Sequence, residues 1–224
     1  MGTFIRAGAL SQQRDPYGGC QMNDPLVPRR SRSEGLATHA ARAVSAAVLV
    51  GTVTAVMWVL EALDYALGGA LDRYGIRSYD LGELPDIFTA PFLHGGFGHL
   101  MANTMPFLVL GFLAAVRGIG RFLAASLIII VVGGLGVWFT GSPSVETLGS
   151  SILIFGYFGY LLSRGLFERS LLDLAIAVVV VLSYGTMIYG ILPTHPMISW
   201  QGHLFGLIGG VLAAWVLRRR DAWS

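Results

Sequence analysis

The chain has 224 residues, of which 54% are hydrophobic and only 12% charged, and its mean hydropathy is +0.65. Such a composition excludes an ordinary soluble domain and points to an integral membrane protein. The formal net charge is +2, all fifteen basic residues are arginine, and the single cysteine, Cys20, leaves no intramolecular disulfide and no cysteine-based metal site.

Residues 1 to 41 open the chain with Pro, Gly, Ser and charge and without a sustained apolar period. They read as a flexible cytoplasmic tail with neither a secretory signal nor a myristoylation motif, since Arg6 stands where the latter wants Ser or Thr. A helix needs about 20 apolar residues to cross the hydrocarbon core. Runs of that kind fall at 42–64, 98–116, 121–140, 150–164, 169–192 and 199–217, which predicts an all-α, polytopic membrane domain of six helices over 42–217. The connections "RGIGR" and "RGLFERS" carry arginine, whereas "GSPSVET" and "LPTHPM" carry none. Arg29, Arg30, Arg32 and Arg42 precede the first run, and Arg218, Arg219 and Arg220 begin a short basic end, 218–224. Arginine excess marks the cytoplasmic side, so both termini are expected there. The composition suggests a bacterial source, hence a plasma membrane, with the lipid bilayer as first partner.

In this topology the second, fourth and sixth runs all start near the external face. There the chain places "LHGGFGHLMANTMPF", "GSSILIF" and "SWQGHLFGLIGG". His99 and Asn103, four apart, share a helix face; Ser150 and Ser151 begin another helix; His203 lies about a turn into a third. Polar groups at membrane depth are costly and mark function. A serine at a helix start has unpaired N–H groups and the positive end of the macrodipole beside it, which suits acyl transfer through an oxyanion. Ser150 and Ser151 compete for the nucleophile's place. Phe155, one turn after Ser151, is placed to cover the His203 imidazole. Gly202, Gly206 and Gly210 make a smooth stripe that permits close approach of the fourth span, with oligomerisation as its other use.

These segments resemble the rhomboid family of intramembrane serine proteases. "HGGFGHLMAN" is similar to that family's H-x-x-x-x-H-x-x-x-N signature at His94, His99 and Asn103, "GSSILIFGYFG" to its G-x-S-G segment, and "GHLFGLIGG" to the segment carrying its catalytic histidine. The resemblance implies a Ser151–His203 dyad and an oxyanion site made of the Ser151 amide, Asn103 and His99. It implies substrates that are transmembrane proteins, with no metal, organic cofactor or nucleic acid involved. His94, Gly149, Phe155, Gly202 and Gly206 support the site. Two departures stand out: Ile152 occupies the position of the family's second glycine, where its side chain would crowd the site, and Arg77 in the first external loop lacks the usual neighbouring Trp. If Ile152 blocks catalysis, the alternative is an inactive rhomboid-like protein that binds transmembrane helices. A histidine-based metal site is disfavoured, since His94 and His99, five apart, do not share a helix face and no carboxylate or cysteine joins them; a transport site is disfavoured, since the chain has no repeated halves and no Asp, Glu or Arg pathway in the inner parts of the spans.

Overall fold

The computed structural model describes residues 32–193 and 198–218. The expected tail up to residue 31, with Cys20, Arg29 and Arg30, lies outside the described residues, as do His195, Arg219 and Arg220. Among those described, the chain is helical, with six α-helices and four short 3-10 segments. The α-helices are α1 (Arg32–Ala66), α2 (Phe97–Ala115), α3 (Ile119–Thr140), α4 (Ser151–Phe167), α5 (Leu171–Tyr184) and α6 (Trp200–Val216). A 3-10 segment, Gly185–Ile191, prolongs α5. Helix α1 starts ten residues ahead of the expected span, because "RSEGLATHAA" is a helix-forming sequence too polar to register as a membrane run.

Four stretches are long and apolar enough to cross a membrane: Leu36–Ala66, Phe97–Ala115, Ile119–Thr140 and Leu171–Ile191. The other two apolar helices, α4 and α6, have 17 residues each, about 25 Å at 1.5 Å per residue. Their shortness matches their position. Helix α4 is the centre of the bundle: residues 152–161 are buried without a break, so it is apolar on every side because every side meets protein. It packs most extensively on α6, which also packs on α3. By contrast α1 and α5 turn Val44, Val48, Val56 and Val59, and Leu172, Val178, Val179 and Leu182, outward.

The α4–α6 seam is built from glycine. A Cβ on Gly206 or Gly210 would collide with the main-chain carbonyl of Ile152 or Gly156, and one on Gly159 would lie 2.6 Å from the Leu207 carbonyl oxygen. The stripe is therefore spent inside the chain, where the absence of side chains lets the two backbones touch and gain dispersion contact.

Each end of the bundle is tied separately. At one end Asp173 is buried between Arg164 (2.6 Å) and Arg117 (3.0 Å), and Arg121 pairs with Glu168 (3.2 Å), which joins the α2–α3 and α4–α5 connections. At the other, Ile76 and Thr147 form an antiparallel bridge, and Arg77 pairs with Glu83 and Glu146. The Ser78 hydroxyl donates to the Val137 carbonyl, and the Trp138 indole N–H to the Asp80 carbonyl. The long α1–α2 loop, lacking a Trp beside Arg77, is thus anchored by Arg77 itself and by Trp138 of α3. Its hold on residues 146–149 sets where α4 begins.

Candidate active site

The first turn of α4 is placed from below by the loop preceding α2. The Gly149 amide donates to the Ala90 carbonyl, and Gly149 has φ +126°, a conformation open to glycine and strained for other residues. His99 explains why no side chain fits there. A Cβ at Gly149 would stand 2.6 Å from His99 Cε1 and 2.9 Å from Nε2, with Asn103 Nδ2 at 3.7 Å. His99 and Asn103 therefore converge on Gly149, two residues before Ser151, the first residue of α4. The Asn103 Nδ2 is buried with no hydrogen-bond partner among the described residues. A buried amide donor left unpaired at the mouth of a helix N-terminus is suited to receive a negative oxygen.

The two serines are treated differently. Ser150 is buried, its amide donates to His94 Nε2 at 3.3 Å, and its hydroxyl lies 3.1 Å from the same nitrogen. The Ser151 hydroxyl makes no hydrogen bond among the described residues and is partly exposed. Ser150 is thus engaged in holding the turn, and Ser151 is the hydroxyl left available. His94 is 2% exposed; burial first, and His99 beside it, push its imidazole down to about 3, so it stands neutral at pH 7. It serves as a hydrogen-bonding strut.

His203, buried on α6, is fixed on two sides. Its ring stacks on Phe155 with centroids 4.0 Å apart and planes within 7°, and its Nδ1 lies 2.8 Å from the Gly190 carbonyl oxygen. A carbonyl only accepts, so Nδ1 carries the proton and Nε2 keeps its lone pair. That is the tautomer of a general base, selected without a carboxylate. Gly190 was invisible in the sequence, since a backbone carbonyl has no residue-type signature.

Ile152 does not crowd this site. It is 1% exposed and packs between α3 and α6, with its Cγ2 against Gly133 and its Cγ1 3.1 Å from where a Gly202 Cβ would be. The missing glycine on α4 is matched by glycines on both neighbours. Among the described residues no three His, Cys, Asp or Glu side chains converge as metal ligands.

Comparison with known proteins places the chain in a family. The rhomboid domain family matches residues 81–220, which contain α2 to α6 and the whole site. The chain belongs to the rhomboid family. An uncharacterized protein of Mycobacterium tuberculosis is 40% identical over 219 residues, 94% of this chain and 90% of its own. One of Mycobacterium leprae is 38% identical over 178 residues, 76% of this chain and 70% of its own. The Bacillus subtilis protein YdcA, whose name assigns it provisionally to the rhomboid proteases, is 31% identical over 169 residues, 72% of this chain and 83% of its own. This rhomboid is accordingly an integral membrane protein.

Proposed function

We propose that this rhomboid is an intramembrane serine endopeptidase that cleaves transmembrane proteins in or near their membrane segments. The observation that carries the reading is the state of His203: its ring is stacked, its Nδ1–H is held by Gly190, and its Nε2 is free to take a proton. In the reaction, Ser151 Oγ attacks the substrate carbonyl as its proton passes to His203 Nε2. The Ser151 amide, Asn103 Nδ2 and His99 stabilise the oxyanion, and the leaving amine then takes the proton back from His203. Water, activated by the same histidine, hydrolyses the acyl-enzyme.

The same reading has six helices crossing a bacterial plasma membrane, with the tail and residues 218–224 in the cytoplasm. In support, the arginine-bearing connections lie together at one end and the site at the other. Short α4 sets Ser151 below the membrane surface in a protein-lined recess, where a non-helical loop is tolerated. The alternative is an inactive helix-binding protein; the packing of Ile152 onto the glycines of α3 and α6 favours the protease.

The test is cleavage of a panel of single-pass reporter proteins by the purified chain in liposomes. Wild type is expected to cut; Ser151→Ala and His203→Ala are each expected to lose at least about a thousandfold in rate while the fold is retained. Capture of reporters by wild type without cleavage would overturn the protease reading.

A further inference from the structure

The end of α1 carries two carboxylates, Glu61 and Asp64, and Asp72 follows in the 3-10 segment Asp72–Tyr74. Asp64 has an evident use: its Oδ1 accepts the Leu71 amide at 2.6 Å and closes the turn after α1. Glu61 has none of that kind. It is 4% exposed, and its Oε2 is buried with no hydrogen-bond partner among the described residues; Asp72 Oδ1 is in the same condition. Both line a narrow cleft that His94 closes from the other side.

His94 contributes the complementary orphan. Because Nε2 accepts the Ser150 amide, the neutral ring must carry its proton on Nδ1, and Nδ1 is also buried without a partner. The cleft thus sets one unsatisfied donor against unsatisfied carboxyl oxygens, groups that are costly apart and stabilising together.

We propose that Glu61 is a positioning residue whose carboxylate receives the His94 Nδ1–H, with Asp72 beside it, so that the acid holds His94, His94 holds the Ser150 amide, and the first turn of α4 presents Ser151. The inference rests on the reading of Ser151 as nucleophile. It gives the site a carboxylate that acts on the serine turn through His94 and leaves His203 to Gly190.

The experiment uses the full chain, labelled with 15N-histidine, in liposomes. Solid-state NMR reads the His94 N–H proton, assigned by its loss in His94→Gln, and a fluorophosphonate reads the rate of serine labelling. Wild type is expected to show His94 protonated on Nδ1 with a deshielded proton that moves upfield in Glu61→Ala. Labelling should fall about three- to tenfold in Glu61→Ala and return to within about twofold of wild type in Glu61→Gln, whose amide oxygen still accepts. An unchanged proton shift in Glu61→Ala would overturn the proposal, and so would a moved shift with unchanged labelling. If Glu61→Ala does not fold, Glu61→Gln decides: the weaker acceptor must move the proton part of the way, and no movement would overturn it. The NMR readout needs no turnover. A His94 proton that moves in Glu61→Ala, with a wild type that neither labels nor cleaves, would therefore count against the protease reading, whereas a wild type that labels and a proton that stays fixed in Glu61→Ala would count against Glu61 alone.

Discussion

Along the α4–α6 seam backbone rests on backbone, with Gly206 and Gly210 against the carbonyls of Ile152 and Gly156. The α5 flank is held differently. It meets α4 through the buried Asp173–Arg164 pair at its start and a narrow strip including Ala177 and Val180, while Leu172, Val178, Val179 and Leu182 face outward. Yet His203 takes one constraint from each region: its ring stacks on Phe155 of the seam, and its Nδ1 meets Gly190 in the prolongation of α5. The seam has no freedom to move without breaking van der Waals contact, so it fixes where the imidazole lies. The flank, attached more loosely, sets which nitrogen carries the proton.

Breaking the seam should have the largest effect. Gly210→Val drives a branched side chain into the Gly156 carbonyl and should cost on the order of 4–5 kcal/mol, read as loss of a cooperative thermal transition in detergent. Ile152→Gly opens the same seam from α4, leaving a void against Gly133 and Gly202. It should cost about 3–4 kcal/mol of stability and give no gain in turnover per folded molecule. Faster turnover would mean that Ile152 does restrain the site. Phe155→Leu keeps the seam and removes the stack, for an expected fall in kcat of about two- to tenfold with KM unchanged. The flank gives the smallest change. A Cβ at Gly190 would stand 3.0 Å from both His203 Nδ1 and Phe155 Cζ, so Gly190→Ala should lengthen the Nδ1 hydrogen bond and lower kcat about two- to fivefold, with thermal stability near wild type.

The same contrast marks what the sequence could reveal. Apolar runs place the starts and ends of α2 to α6 within three residues when the 3-10 prolongation of α5 is counted, because a membrane helix is long and monotonous. The start of α1 escaped, since Arg32, Glu34 and His39 give helix without hydropathy. At the site, the residue types were readable from motif and spacing. How they are held was not. Nothing in "GSSILIF" tells that Ser150 is tied to His94 and Ser151 is not, or that Ile152 points into a groove whose glycines lie 19 and 50 residues away. Gly190 acts through its carbonyl, and Glu61 through a cleft that exists only once α1 and the His94 loop meet. Contacts of this kind depend on tertiary approach, which neither periodicity nor residue type encodes locally.

The decisive assignment is the nucleophile, proposed to be the serine left unbonded at the start of α4. Its most direct test is fluorophosphonate labelling of the wild-type chain in liposomes, followed by mass-spectrometric location of the adduct, with Ser150→Ala and Ser151→Ala alongside. One adduct is expected, on Ser151, retained in Ser150→Ala and absent from Ser151→Ala. An adduct on Ser150, or none on a folded wild type, would overturn the assignment.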